Sequence, residues 1–326
     1  MEYSKRHRQQ IRLSKDFIPL HYEISLDIDI INLSYISKVE ITIESQIDNP
    51  KYISLNLKSY SKESKISNYE LISKNNSQNY IKEYLSSAPE DYINTISSIY
   101  FSLKKGINKG DILYFKCEKK DDIKTTTEGY GLYISFWDYK LRKLLDKEEF
   151  KNNIISEFKD KNNPTIEEIK KNFNYFKSLV ISLNSSPIAL REIIPCFDEL
   201  SFKSTYKFSI SVHKNFPNSS KNFTIFNNSD IEKIIEKDNK KIYIFQKIPK
   251  ISTYLLTFTI GYYEYIEKYI TKIDNTKLRL RVYGPENQID KVDYCLLTTE
   301  ESLKKYEKIF KIPFYIDKLD SIFVPN

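Results

Sequence analysis

Between Tyr22 and Ile30 the chain alternates without a break, with Tyr22, Ile24, Leu26, Ile28 and Ile30 set against Glu23, Ser25, Asp27 and Asp29. A period of two puts the first set on the buried face of a β-strand and the second in water. Val39, Ile41, Ile43 and Ile47 repeat the pattern against Lys38, Glu40, Thr42 and Glu44. Two half-buried strands joined by a short polar link are therefore predicted, as an antiparallel sheet requires. Tyr206, Phe208, Ile210 and Val212 follow the same rule, as do Leu278, Leu280 and Val282. Residues 242–245 and 254–260 are apolar on both faces and are expected to be deeper strands.

Two stretches depart from this period. Over residues 290–310, Val292, Leu296, Leu303, Tyr306 and Phe310 form one stripe, with Glu300, Glu301, Lys304, Lys305 and Lys308 off it. This spacing predicts one amphipathic helix. Between residues 138 and 177 the chain turns to Lys, Glu and Asn; Asn163-Pro164 precedes Ile166, Ile169, Phe173 and Phe176 at helical spacing. That span reads as a charged, partly helical insert.

Composition narrows the function classes. The 326 residues carry 51 Lys+Arg and 44 Asp+Glu, a net charge of +7 spread along the chain. Nucleic-acid readers concentrate their cations on one face, so no nucleic-acid partner is expected, and a polyanion-binding Lys surface is the weaker alternative. No window approaches the roughly 18 apolar residues of a membrane span. Residues 1–15 are polar and basic, without the apolar stretch of a secretory signal, so a cytoplasmic protein is expected. Cys117, Cys196 and Cys295 lie about a hundred residues apart, and His7, His21 and His213 are equally scattered. Neither set has the spacing of a metal site, so no metal or cofactor is expected within the chain. The glycines at 106, 110, 129, 131, 261 and 284 make no phosphate-binding loop, and no Gly-x-Ser-x-Gly elbow occurs.

The most distinctive segment is Arg191-Glu192-Ile193-Ile194-Pro195-Cys196-Phe197-Asp198-Glu199, leading into the strand pattern after Lys203. Its residue types describe a Pro-containing corner with a buried Cys-Phe pair. The carboxylates would cap backbone amides or meet Arg191, and a structural corner is favoured over a catalytic carboxylate pair.

This segment resembles the Arg-x-x-x-Pro-Cys-(Phe/Trp)-Asp-Glu-Pro stretch in the N-terminal β domain of the aminopeptidase N family of zinc metallopeptidases. Other stretches are similar in the same order. They are Arg12-Leu13-Ser14-Lys15 with Pro19 and His21-Tyr22; Gly131-Leu132-Tyr133 with Ser135; Pro249-Lys250-Ile251-Ser252-Thr253-Tyr254-Leu255 with Gly261; Arg281-Val282-Tyr283; Ile312-Pro313-Phe314; Lys318-Leu319-Asp320; and Val324-Pro325. Leu200 and Ile251 depart from the family's Pro and Met.

The resemblance implies a mainly β fold: a saddle-shaped antiparallel N-terminal β domain followed by the truncated start of a thermolysin-like α/β lobe. The implied boundaries are a basic tail at 1–11, the β domain at 12–265 with its insert near 138–177, and the start of the catalytic domain at 266–326. The family's zinc ligands and general base come later than its Val-Pro segment. These residues are therefore expected to be a non-catalytic portion, from a truncated or split gene product, of an enzyme that removes N-terminal residues from peptides. Peptide would be bound only with a catalytic lobe supplied elsewhere, and zinc belongs to the parent family. Family members carry Gln-x-Glu before the Arg of the motif, to hold the substrate's ammonium. Here those substrate-binding positions are Asn184 and Ser186, which removes the charge. A degenerate, non-enzymatic binding or scaffold module of the same fold is the alternative.

Overall fold

The computed structural model describes residues 12–30, 32–59, 64–73, 78–85, 97–124, 129–137, 177–214, 223–285 and 288–325. The expected basic tail, and the expected insert up to residue 176, lie outside the described residues.

In chain order the strands are β1 (Phe17–Asp29), β2 (Ser34–Ser45), β3 (Tyr52–Asn56), β4 (Lys65–Ser73), β5 (Ile81–Leu85), β6 (Ser98–Leu103), β7 (Ile112–Asp122), β8 (Gly131–Phe136) and β9 (Leu179–Asn184). They continue as β10 (Lys203–His213), β11 (Phe223–Asn227), β12 (Ile231–Lys237), β13 (Lys240–Phe245), β14 (Ile248–Ser252), β15 (Thr257–Thr271) and β16 (Lys277–Pro285). Helix α1 (Asp293–Phe310) and strand β17 (Lys318–Ile322) follow. An eight-stranded sheet runs β12-β13-β10-β1-β2-β7-β4, with β14 also on β10. A six-stranded sheet runs β17-β16-β15-β9-β8, with β11 also on β15, and β3-β6-β5 form a third. The fold is mainly β, with α1 the one α-helix of more than a turn among the described residues.

The alternation in β1 is realised as read: Tyr22, Ile24, Leu26 and Ile28 are buried and their polar neighbours face outward. Tyr22 stacks on Tyr206 with ring centroids 5.0 Å apart, tying β1 to β10. Fully burying each such apolar side chain contributes about 1.5–3 kcal/mol. Ile47, expected in line with Val39, Ile41 and Ile43, is instead exposed, because β2 ends at Ser45 and the chain turns. Within 254–260 the strand starts only at Thr257, after a 3-10 turn over Thr253–Leu255 that leaves Leu255 exposed.

Two strand pairs are parallel, β1 with β10 and β16 with β17. Parallel neighbours need a long crossover. For β16 and β17 that crossover is α1, giving one β-α-β unit. The expected boundary at 265/266 falls inside β15, which pairs with β9 and β11 in its first half and with β16 from Tyr263 to Thr271.

Helix α1 begins at Asp293, after a 3-10 turn over Ile289–Lys291, and not at 290. It ends where Lys311 takes a left-handed conformation at φ 56°, its N–H donating to the Glu307 carbonyl. Only part of the expected stripe faces the sheet. Leu303 packs with Ile270, Leu278 and Leu280, and Leu296 joins them, whereas Tyr306 and Phe310 are 59% and 65% exposed. On either side of Leu303 the buried places are taken by Glu300 and Glu307. Each is partnered: Lys268 and Lys304 donate to Glu300 at 2.5 and 2.6 Å, and the N–H groups of Ile273 and Phe314 donate to Glu307 at 2.9 and 2.7 Å. Charge-assisted bonds of this kind let a carboxylate occupy a place that periodicity assigns to an apolar residue.

Candidate functional site

Strand β9 is an interior strand of the six-stranded sheet, and its last residue, Asn184, lies between Gly131 of β8 and Thr257 of β15. The Asn184 side chain is committed to the backbone. Its Nδ2 donates to the Gly129 carbonyl at 2.9 Å, and its Oδ1 accepts from the Ser186 N–H at 3.1 Å. Asparagine readily closes such a turn on itself. Ser185 is buried, while Ser186 and Pro187 stand in solvent. The turn thus presents the Ser186 hydroxyl outward from a rigid strand end.

A 3-10 turn over Leu190–Glu192 follows, all three residues buried. Arg191 pairs with Asp198: Nε donates to Oδ2 at 2.9 Å, and a terminal guanidinium nitrogen donates to the Asp198 carbonyl at 2.9 Å. Asp198 Oδ2 also accepts from the Arg191 N–H at 3.3 Å. Removing one partner of such a buried pair costs about 3–5 kcal/mol. Cys196 exchanges backbone hydrogen bonds with Asn56 at 2.8 and 3.0 Å, and the Asn56 side-chain oxygen accepts from the Asp198 N–H at 3.1 Å. Glu199 accepts from the Leu13 N–H at 2.5 Å. Both offices foreseen for the carboxylates, capping amides and meeting Arg191, are filled. The motif is a locked corner, and its carboxylates do not converge on an open site.

Sequence reasoning missed the ionic cluster behind this corner. Glu192 meets Lys124 at 2.5 Å and Lys58 at 3.1 Å, and its carbonyl accepts from the Tyr35 hydroxyl and from Lys119. Lys119 is fully buried, with Asp121 at 2.9 Å. Burial pushes the Lys119 ammonium below its ordinary value even against the pull of Asp121. A signal was available: Lys119 and Asp121 continue the inward parity of Leu113, Phe115 and Cys117 along β7. Glu192 also fixes Gly131, whose φ is +69° and where an added Cβ would lie 2.1 Å from Glu192 Oε2. The cluster therefore holds β8 against the corner, beside Asn184.

No group of three or more His, Cys, Asp or Glu placed to hold a metal occurs among the described residues. His21 is occupied locally, with Nδ1 2.7 Å from the Thr205 hydroxyl and Nε2 3.9 Å from Glu23; burial lowers its pKa. A trough of about 640 Å³ on the eight-stranded sheet is lined by residues of β1, β2, β4, β7, β10, β12 and β13, none of them from the corner. Its floor charges already pair, Lys38 with Glu118 at 3.2 Å and Lys116 with Glu70 at 3.0 Å.

Residues 170–255, which run through β9, the corner and β10 to the segment before β15, match the family model for the peptidase M1 N-terminal domain. Over these residues the chain is similar to the N-terminal part of aminopeptidase N-type proteins. It is 30% identical over 152 residues to "Probable aminopeptidase 2" of Sulfurisphaera tokodaii, covering 47% of this chain and 18% of that protein. It is 28% identical over 154 residues to "Leucyl aminopeptidase" of Saccharolobus solfataricus, again 47% and 18%, and 29% identical over 140 residues to "Aminopeptidase M1-A" of Oryza sativa subsp. japonica, 43% and 15%. The matches thus span less than a fifth of each of these relatives. M1 aminopeptidases are zinc-dependent, and the described residues do not fit that metal. No helix among them is long and apolar enough to cross a membrane.

Proposed function

We propose that this chain is the non-catalytic N-terminal portion of a zinc metallo-aminopeptidase, which removes N-terminal residues from peptides. In this reading it presents the turn at 184–188 to the substrate's N-terminus, beside a catalytic lobe. What supports the reading most is the placement of Asn184 and Ser186 at the solvent end of an interior strand, within the stretch that matches the M1 domain. Ser186 offers a hydroxyl to an ammonium but does not offset its charge, and a charge-assisted bond is roughly twice as strong as a neutral one. The free α-amine is therefore held weakly. The same neutral Ser186 favours a second reading, a binding or scaffold module of this fold without catalysis. A cytoplasmic setting fits the buried, unpaired thiols of Cys117 and Cys196.

The test joins this chain to the part of the Sulfurisphaera tokodaii relative that follows its matched stretch. The fusion should hydrolyse amino-acid amides, a chelator should abolish the turnover, and Ser186→Glu should lower KM more than it changes kcat. The chain alone with added zinc should show no turnover. A folded, zinc-loaded fusion that stays inert would favour the scaffold reading, and chelator-sensitive hydrolysis by the chain alone would overturn both.

A further inference from the structure

In the motif that carries the resemblance, Arg-x-x-x-Pro-Cys, the position after the arginine is open, so the resemblance assigns Glu192 no role. Its backbone is anchored in the locked corner, where its carbonyl accepts from the Tyr35 hydroxyl at 2.9 Å and from the buried Lys119. Its carboxylate is shared between two lysines. Oε1 meets Lys58 at 3.1 Å, and Oε2 meets Lys124 at 2.5 Å.

Lys124 in turn grips β8 along the side away from β9. Its N–H donates to the Leu132 carbonyl at 3.0 Å, and its carbonyl accepts from the Ile134 N–H at 2.9 Å. β8 is the last strand of its sheet, so its place on that side depends on this contact. At the first residue of β8, Gly131, the Glu192 carboxylate comes so close that an added Cβ would lie 2.1 Å from Oε2. Only glycine admits the carboxylate there. Gly131 is the residue paired with Asn184, and the Gly129 carbonyl holds Asn184 Nδ2 at 2.9 Å. Asn184 Oδ1 then holds the Ser186 N–H at 3.1 Å. A continuous series of contacts therefore leads from the Glu192 carboxylate to the turn.

We infer that Glu192 is a positioning residue for the turn at 184–188. Wedged between Lys124 and Gly131, its carboxylate fixes where β8 begins and, through the Asn184 side chain, where the Ser186 hydroxyl is presented. The inference rests on the function proposed above, which gives that hydroxyl an ammonium to meet. Both the charge and the length of Glu192 are used. An amide at this position would turn its NH2 toward one of the two ammonium groups, donor against donor. An aspartate would keep the charge but withdraw it from Gly131 by one methylene.

Nuclear magnetic resonance on the isolated chain is the first test. Glu192→Gln should shift the resonances of the Asn184 side-chain amide and of the Ser186 N–H, and speed their exchange with solvent. Glu307→Ala, which removes the buried acceptor of Ile273 and Phe314, should lower stability and leave both resonances in place. If Glu192→Gln does not fold, Glu192→Asp is read instead, with the same shifts expected. Resonances that stay put in a folded variant overturn the inference, whatever the fusion does. In the fusion described above, Ser186→Ala and Glu192→Gln should each raise KM about threefold to tenfold, the worth of one neutral hydrogen bond, with kcat nearly unchanged. The two together should raise it no further than either alone. KM effects that multiply would show Glu192 acting by another route than Ser186 and overturn the inference, while the turnover itself keeps the proposed function. A folded, inert fusion beside shifted resonances in the isolated chain sustains the positioning and removes the function.

Discussion

Cys117 sits on the inner face of β7 at 3% exposure, and burial pushes its thiol from an ordinary 9.0 up to about 12. Cys196, fully buried under the corner, is pushed well above its ordinary value for the same reason. Above pH 9 the unfolded chain therefore sheds thiol protons that the folded chain keeps. The stability held in these groups is whole below that point and is lost as pH rises toward 12. The buried phenols of Tyr22, Tyr35, Tyr206 and Tyr263, all raised by burial, add to the loss above pH 10. Lys119 works the other way: its lowered pKa means that rising pH relieves a penalty on the folded state. The thiols titrate first, so the urea midpoint is expected to fall as pH rises from about 9 toward 12. Cys117→Val should make that fall shallower. An unchanged slope in the variant would show that the thiol is not the group responsible. The burial of Cys196 was legible in the corner motif that holds it. The partners of Lys119 were not, because a lysine at inward parity is recognised only once β7 is known to be a strand.

The elements divide by how local their cause is. Period-two strands such as β1 and β10 follow from neighbouring residues and were read directly. The extent of α1 was also close. The face it buries differs from the stripe because Glu300, placed off the stripe by its charge, and Glu307, which the stripe left out, are both buried, and only tertiary partners reveal why. Glu307 caps two chain segments at once, β15's exit at Ile273 and the post-helix turn at Phe314. Hydrogen bonds to a charged group contribute about 1.5–3 kcal/mol each. Glu307→Ala should therefore destabilise the chain by about 3 kcal/mol or more, while Phe310→Ala, at 65% exposure, should cost about 0.5 kcal/mol or less. Denaturant midpoints measure both, and a larger loss from Phe310→Ala would return the helix to the orientation its sequence stripe first suggested. The turn at 184–188 belongs to the same class. Its place beside β8 follows from the strand pairing of β9, whereas the resemblance supplied only the residues to look at.

At the scale of the whole molecule, individual strands were readable from their period, and the mainly β class was implied by the resemblance. The parallel pairings of β1 with β10 and β16 with β17 were not, since they join segments that local pattern cannot connect. A sheet assembly of this kind also has to manage its edges. Strand β12 closes one side of the eight-stranded sheet and is exposed along its whole length, with Ile231, Ile234 and Ile235 each at least 37% exposed. Such an edge is a template for a second copy. A two-fold antiparallel pair opposes residues of equal parity only. Centring it on Ile235 brings Lys233 against Lys237, and centring it on Ile234 brings Glu232 against Glu236. Both registers set like charges directly opposite, which is destabilising. Lys237→Glu converts the first register to two opposite-charge contacts across the two-fold, and within the hairpin it also faces Lys240 favourably. The variant is expected to dimerise at concentrations where the parent chain does not, as read by light scattering, and the dimer should weaken with added salt. A variant that keeps the parent's mass at every concentration would show that the twist of the hairpin, and not its charge pattern, guards this edge.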